Sequence, residues 1–264
     1  MAETKPVLAE LKDGTLHLSL NRPERLNAFN EDMHLALREH LSEADGNSNV
    51  RALLLTGSGR AFCAGQDLSD RDMRSGGPAP DLGNTLETLY NPLVRQIRSL
   101  GKPVICAVNG VAAGAGANIA LACDIVVAAR SARFIQAFSK IGLVPDSGGT
   151  WLLPRLIGEA RAKALAMTAE PLDAETAADW GLIWKSVPDE DLLNVASSLA
   201  NGLSTGPTKG LALTKQLMQD AANQSLDTHL DAERDAQRLA GRTTDYREGV
   251  AAFLDKRPAR FTGS

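Results

Sequence analysis

An uncharged segment of 20 residues, 104–123, constrains the fold of this 264-residue chain more than any other feature. Its length is what a helix needs to cross the hydrocarbon core of a bilayer. However, Asn109 and Gly110 form a strong turn signal, and Gly114, Gly116 and the polar Asn118 follow within the segment. We therefore expect a buried strand, a turn and a short helix over 115–123, and no membrane span.

Strand-like and helical patterns alternate along the first two thirds of the chain. The Asp13-Gly14 pair, placed ahead of alternating leucines, predicts a hairpin. Asn30 is expected to start a helix whose apolar face is formed by Met33, Leu37 and Leu41. Buried strands are predicted over 51–55, 104–108 and 125–129. This alternation predicts an α/β fold.

The pattern changes at about Asp189, after which strand-like runs stop. Four segments then have helical spacing: 189–203, 207–221, 225–240 and 244–255. We therefore predict an α/β core over 1–188 and a helical C-terminal region over 189–264.

Composition excludes several classes of function. Hydrophobic residues make up 44% and charged residues 23%, as in ordinary globular proteins. The net charge of −4 and the lack of a long Lys/Arg run argue against nucleic acid as the main partner. Cys63, Cys106 and Cys123 form no CxxC pair and are odd in number, so free thiols and a cytoplasmic location are expected. The N-terminus has no basic region followed by an apolar stretch, so no secretory signal is expected.

Three glycine-bearing segments place backbone N–H groups where a ligand could reach them: 61–68, 109–118 and 141–150. The second opens into a predicted helix, whose N-terminus offers free N–H donors and a partial positive charge. Small residues also allow close packing, so each segment alone has a purely structural explanation. In the third segment Asp146 is either a functional carboxylate or the N-cap of the next helix.

Metal-dependent hydrolysis and a serine triad have no support in the sequence. No HExxH, GxSxG or spaced Cys/His cluster is present, so no metal ligand is proposed. The histidines are each expected at the solvated surface: His17, His34, His40 and His229.

The order and spacing of four motifs identify a family. NRPERLNAF (21–29), AFCAGQDL (61–68), PVICAVNGVAAGAGANIALACDI (103–125) and GLVPDSGGTWLLPRLIG (142–158) resemble the enoyl-CoA hydratase/isomerase (crotonase) family. The resemblance covers nearly the whole chain. It implies a crotonase-like spiral of ββα units, a helical C-terminal trimerisation region, acyl-CoA thioester substrates, and a homotrimer or a dimer of trimers.

The resemblance also implies roles for single residues. The N–H groups of Gln66 and Ala115 correspond to those that hold the thioester oxygen. Asn118 and Phe138 stand where hydratases carry two glutamates, whereas Asp146 matches the aspartate of the isomerases in the family. We therefore expect an isomerase in which Asp146 moves the proton. The apolar Phe138, Leu143 and Val144 are expected to exclude water from it.

Further positions are expected to contact the acyl-CoA, and the CoA part of the substrate is the only cofactor-like group expected. Phe253 and Lys256 are expected to do so from this subunit or from a neighbouring one. The full substrate-binding set is Arg25, Ala28, Ala64, Gly65, Asp67, Leu68, Gly114, Asn118, Phe138, Pro145, Phe253 and Lys256.

Three stretches, 77–83, 138–155 and 233–254, are similar to a subgroup of the family that isomerises ring-1,2-epoxidised phenylacetyl-CoA to the oxepin in aerobic phenylacetate catabolism. An alternative with the same base and oxyanion donors is a Δ3,Δ2-enoyl-CoA isomerase of fatty-acid breakdown. A dehalogenase fits less well, because Phe138 stands where a more polar or indole-bearing side chain is expected. A non-catalytic binding protein, including an RNA-binding one, is disfavoured by the net charge and by Asp146.

Overall fold

The chain begins with the predicted hairpin. A computed structural model describes residues 5–69 and 80–264, and in it β1 (Val7–Lys12) pairs antiparallel with β2 (Thr15–Leu20). Asp13 and Gly14 both have positive φ angles, 50° and 78°, which is the geometry of the tight turn that joins twisted strands. The prediction from the Asp-Gly pair is confirmed.

Two sheets form the α/β part of the described residues. After β1 and β2, their strands are β3 (Ala52–Gly57), β4 (Ala61–Cys63), β5 (Val104–Val108), β6 (Val111–Ala113), β7 (Ile125–Ala129), β8 (Arg133–Ile135), β9 (Leu172–Asp173) and β10 (Lys185–Val187). Six strands pair in the order β1-β2-β3-β5-β7-β10, and four in the order β4-β6-β8-β9. Pairing is parallel except between β1 and β2 and between β8 and β9.

A ββα unit repeats three times. In each unit the first strand joins the large sheet, the second joins the small sheet, and helices follow. The helices of the three units are α2 (Leu82–Thr85) with α3 (Asn91–Ser99), then α4 (Ala115–Ala122), then α5 (Gly149–Thr168). The uncharged segment is therefore strand, turn and short helix as predicted. The three-residue strand β6 went unpredicted because it is too short to show a period.

The first long helix, α1 (Glu31–Gly46), begins where Asn30 predicts. The Asn30 side chain accepts a hydrogen bond from the Met33 N–H at 3.1 Å. His34 on this helix is 1% exposed, so its predicted surface position is wrong. Its ring packs 4.6 Å from that of Phe29 and 4.2 Å from that of Tyr90, which is distant in the sequence, and these rings cover it.

The C-terminal helices lie within three residues of their predicted bounds. They are α7 (Leu192–Ser204), α8 (Thr208–Asp220), α9 (Leu226–Ala240) and α10 (Thr244–Leu254), and the short α6 (Ala174–Asp179) precedes them. α7 packs on β3 and β5 of the large sheet. Lys215 on α8 forms an ion pair of 2.9 Å with Asp124, whose carboxylate also accepts the Val104 N–H. Within the described ranges, no helix is both long and apolar enough to cross a membrane.

Candidate active site

The first glycine-bearing segment leaves β4 and pairs with the chain ahead of α1. The Phe29 N–H donates to the Gly65 carbonyl at 2.7 Å, and the Asp67 N–H donates to the Phe29 carbonyl at 2.9 Å. Because a trans peptide is planar, the Gln66 N–H points opposite to the Gly65 carbonyl and hence away from Phe29. No acceptor for this N–H is found among the described residues.

Gly65 brings this segment against the second one. Its φ is 96°, and an added Cβ would lie 2.9 Å from the Ala113 carbonyl oxygen and 3.7 Å from the Ala115 nitrogen. A side chain is therefore excluded both by the backbone conformation and by the close approach. Burial raises the pKa of Cys63 to about 12, so this neighbouring thiol is a neutral packing group rather than a nucleophile.

The second segment supplies the other N–H group. Ala115 is the first residue of α4, and its N–H likewise has no acceptor in the part of the chain that the structure describes. Gly116 rests against β4, because an added Cβ would lie 2.5 Å from the Cys63 carbonyl oxygen. The structure thus brings two unpaired N–H donors, of Gln66 and Ala115, to neighbouring segments. Such a pair is suited to binding an oxygen that becomes negative.

The third segment carries the carboxylate. Asp146 is half-buried, and its Oδ1 accepts a hydrogen bond from the Ser147 hydroxyl at 2.9 Å. The residue at the N-cap of α5 is Gly148 and no side chain caps this helix, so the alternative interpretation of Asp146 as a cap is wrong. Ser147 is 2% exposed and has a φ of 50°, which is costly for a residue with a Cβ.

Asn118, on α4, joins the second segment to the third. The Asp146 carbonyl oxygen accepts from the Asn118 Nδ2 at 2.8 Å and from the Gly149 N–H at 2.8 Å. The Asn118 Oδ1 accepts from the Gln136 Nε2 at 2.8 Å. Asn118 is fully buried, so its amide is a link inside the protein rather than a group that faces a ligand.

Of the three apolar residues expected to exclude water from Asp146, Phe138 is buried beside the site, but Leu143 and Val144 are exposed. Its side chain is 6% exposed, and its Cζ lies 3.6 Å from where a Cβ on Gly114 would be. Leu143 is 38% and Val144 77% exposed, so the expectation that they exclude water within this chain is wrong. The left-handed Gly142 ahead of them reverses the chain, and they line a cleft of about 580 Å³ with the half-buried Pro145 beside α5.

The Asp67 carboxylate is held by neighbouring side chains, so it stabilises the first segment and does not offer a free charge to a ligand. Its carboxylate accepts from the Ser69 hydroxyl at 2.6 Å and from the Arg22 guanidinium at 2.9 Å, and Arg22 also donates to the Ala28 carbonyl. The hydrogen bond from Ser69, followed by Arg22, holds the pKa of Asp67 below its usual range.

Asn27 and Arg22 are supporting residues that sequence reasoning missed. Asn27 is fully buried, and its amide donates to the carbonyls of Ser58 and Ala61. The high proportion of polar residues in NRPERLN (21–27) could have indicated their role, because the polar groups of such a turn need hydrogen-bond partners inside the protein.

The other predicted contacts divide into two groups. Ala28 and Gly65 are buried and Ala64 and Gly114 half-buried at the junction of the segments, with the exposed Arg25 and Leu68 at its border. Phe253, 83% exposed, lies in the last turn of α10, shortly before Lys256, and no hydrogen bond among the described residues joins either to the three segments. Residues 77–79 of the similar stretch 77–83 lie outside the described residues.

Comparison with known proteins adds independent findings. A family model described as enoyl-CoA hydratase/isomerase matches residues 10–264. The chain is 59% identical to the 1,2-epoxyphenylacetyl-CoA isomerase of Escherichia coli K12, over 97% of this chain and 98% of that protein. It is 47% identical to a Rhodobacter capsulatus protein named "Probable enoyl-CoA hydratase", over 96% of each. The crystal structure of an enoyl-CoA hydratase from Bacillus anthracis superposes with a TM-score of 0.92 at 30% identity, covering 98% of this chain and 100% of that one.

Proposed function

Because the chain belongs to the enoyl-CoA hydratase/isomerase family, we propose that it is an acyl-CoA isomerase that converts ring-1,2-epoxyphenylacetyl-CoA to oxepin-CoA. The observation that carries the proposal is a half-buried carboxylate, Asp146, whose backbone carbonyl is tied through Asn118 to the helical turn that presents the Ala115 N–H. The similarity to the Escherichia coli isomerase supports the choice of substrate.

The two N–H groups bind the thioester oxygen. A carbonyl oxygen gains negative charge when a proton leaves the neighbouring carbon, so donors fixed in advance stabilise the enolate more than the neutral thioester. Gln66 and Ala115 meet this requirement, because the surrounding backbone holds both N–H groups in place without occupying them.

Asp146 then moves one proton. Its carboxylate takes a proton from the methylene carbon next to the thioester carbonyl, and the electron pair passes to the enolate. As the enolate re-forms the carbonyl, these electrons shift into the ring system, and the carbon–carbon bond common to the epoxide and the six-membered ring opens. The same carboxyl group returns the proton to a ring carbon. Substrate and product are isomers, so the reaction consumes no oxidant and no added water.

Hydration is disfavoured by the residues at the two positions where hydratases carry glutamate. The amide of Asn118 is occupied by Asp146 and Gln136, and Phe138 has no ionisable group. A Δ3,Δ2-enoyl-CoA isomerase is the second candidate, because it would use the same base and the same N–H groups. The two candidate activities use the same base and differ in whether the substrate carries an epoxidised ring.

The remaining contacts belong to the same proposal. The CoA arm passes the exposed Arg25 and the buried Ala28, next to the first segment. The exposed Phe253 and Lys256 contact the CoA of a neighbouring subunit in a homotrimer or a dimer of trimers. The buried free cysteines are compatible with a cytoplasmic enzyme.

Turnover of defined CoA esters tests the proposal. The purified protein is incubated with epoxyphenylacetyl-CoA, a 3-enoyl-CoA or crotonyl-CoA, and products are separated by liquid chromatography with absorbance and mass detection. We expect an isomer of unchanged mass from the first ester. Turnover of straight-chain esters alone would exclude the phenylacetate assignment, and a product heavier by one water would identify a hydratase.

Asp146→Asn tests the role of the base. Because it preserves shape and removes the proton acceptor, we expect kcat to fall by about 100-fold or more. Asp179→Asn, the same change on the exposed end of α6, is the matched control and should leave the rate unaltered. If Asp146→Asn isomerised the ester as fast as the parent, Asp146 would not be the base.

A further inference from the structure

A buried amide connects the two halves of the active site. Asn118 lies in the first turn of α4, three residues after Ala115, and its own N–H donates to the Gly114 carbonyl at 3.2 Å. Its side chain leaves the helix and donates to the Asp146 carbonyl at 2.8 Å. One helical turn therefore carries both an oxyanion donor and a direct bond to the backbone of the base.

The orientation of this amide is fixed by its partners. A backbone carbonyl only accepts hydrogen bonds, so Nδ2 must face Asp146 and Oδ1 must face the Gln136 Nε2. Gln136 is 4% exposed, and its Oε1 has no partner among the described residues. The bond to Asn118 is thus what orients the Gln136 amide, and Gln136 in turn prevents Asn118 from rotating.

Packing limits the freedom of the link further. The Asp146 carbonyl also accepts the Gly149 N–H, so the base and the start of α5 move together. An added Cβ on Gly149 would overlap the Asn118 amide, which shows that this amide lies directly against the first turn of α5. Neither the carboxylate segment nor α5 can shift toward α4 or away from it without breaking a buried contact.

We propose that Asn118, oriented by Gln136, is a positioning residue that fixes the Asp146 carboxylate relative to the Gln66 and Ala115 N–H groups. This inference rests on the proposed function, in which Asp146 is the base. Asn118 stands where hydratases carry a glutamate, but the role proposed for it is different. Its side chain hydrogen-bonds to the protein backbone and touches no reacting atom.

Proton exchange on a non-reacting analogue measures this positioning directly. Phenylacetyl-CoA has the same methylene carbon but no epoxide, so in D₂O its deuterium uptake reports removal of the proton alone. We expect Asn118→Ala to slow uptake by about 10- to 100-fold, because a displacement near 1 Å has an effect of this size. The half-saturating ester concentration should change much less, since Asn118 is fully buried and its amide bonds to the protein itself.

A double-mutant cycle separates positioning from general loss of structure. If Asn118 acts through the base, Asn118→Ala should slow uptake in the parent and have no further effect in Asp146→Asn. An equal loss in both backgrounds, or a loss confined to ester binding, would overturn the inference. Failure of the proposed function would be distinct, because Asp146→Asn by itself would then leave uptake unchanged.

Gln136→Met provides a second route if Asn118→Ala does not fold. It removes the donor to Asn118 at similar side-chain volume and leaves the bond from Asn118 to Asp146 possible. We expect a smaller decrease in uptake in the same direction, restricted to the background with Asp146. Uptake at the parent rate by a folded Gln136→Met, with thermal unfolding checked in parallel, would remove Gln136 from the proposal.

Discussion

Ser147 combines an unfavourable backbone conformation with a direct contact to the proposed base. Its φ of 50° costs a residue with a Cβ about 1 kcal/mol, yet its hydroxyl donates to the Asp146 carboxylate at 2.9 Å. Glycine would relieve the backbone cost and remove the hydroxyl. Substitutions at this position can therefore change stability and activity in opposite directions.

Ser147→Gly and Ser147→Ala form a pair that measures both effects. Both lose the hydroxyl, so we expect both to lower kcat by a similar factor, about 10-fold. Only the glycine variant relieves the backbone, so it should be more stable than the alanine variant by about 1 kcal/mol in urea unfolding. A more stable alanine variant would contradict the argument from backbone conformation.

The buried His34 should make the free energy of unfolding depend on pH. Burial, followed by the nearby charge of Arg38, lowers its pKa to about 3. The unfolded chain takes up this proton near pH 6.5 while the folded chain stays neutral, so protonation favours unfolding. The contribution of neutral His34 to the free energy of unfolding is fully present above pH 6.5 and is lost progressively as the pH falls toward 3.

Urea unfolding between pH 4 and 7 checks this prediction. His34→Leu should show a weaker decrease in stability with acid, by up to about 1.4 kcal/mol per pH unit relative to the parent. His40→Leu, a change at a more exposed position of the same helix, is the control and should retain the parent's slope. Identical slopes for His34→Leu and the parent would mean that His34 titrates normally.

Helix α4 shows why small residues recur in the second segment. Its eight residues are all buried, and Gly116 meets the backbone of β4 with no room for a side chain. This close contact places the Ala115 N–H beside Gly65. The glycines of the site therefore serve the approach of one backbone to another, which brings the segments of the two proposed oxyanion donors together.

Gly116→Ala and Gly202→Ala should have opposite effects. In α4 the new methyl group meets the Cys63 carbonyl, so we expect a loss of about 1 to 3 kcal/mol and a lower kcat as β4 moves. In α7 the added methyl has open space around it, so Gly202→Ala should gain about 0.5 to 1 kcal/mol. Urea midpoints measure both, and a stabilising Gly116→Ala would contradict the packing described here.

At the scale of the whole molecule, the described residues have the crotonase-like fold predicted from the motifs, which the match to solved structures confirms. Its C-terminal helices nevertheless leave much apolar surface uncovered. Large side chains between one half and five sixths exposed are Leu193, Met218, Leu226, Leu230, Leu239, Tyr246, Phe253 and Leu254. Apolar surface of this extent is typical of a face that meets another protein.

Phe253→Glu combined with Leu254→Glu tests whether this face joins subunits. We expect light scattering to give the mass of an oligomer for the parent and of a smaller species for the double variant, with helix content retained. Leu35→Glu, on the exposed side of α1, places the same charge elsewhere and should leave the mass unchanged. A monomeric parent would contradict the proposed assembly.

Local patterns were sufficient to predict the hairpin, the start of α1, the strands around the uncharged segment and the four C-terminal helices. Turn preferences and apolar periods act between neighbours along the chain, so they can be read without the fold. The motifs likewise predicted which three segments form the candidate site, because their spacing is a property of the chain itself.

Contacts between distant segments decided the remaining features. Tyr90 makes His34 a buried residue, Gln136 and Asp146 hold the Asn118 amide inside the protein, and Leu143 and Val144 are exposed after the left-handed Gly142. Burial and hydrogen-bond direction depend on what packs against a side chain, and no local period encodes such a neighbour. Whether the Asn118 amide faces a ligand or a backbone carbonyl is therefore set by tertiary packing.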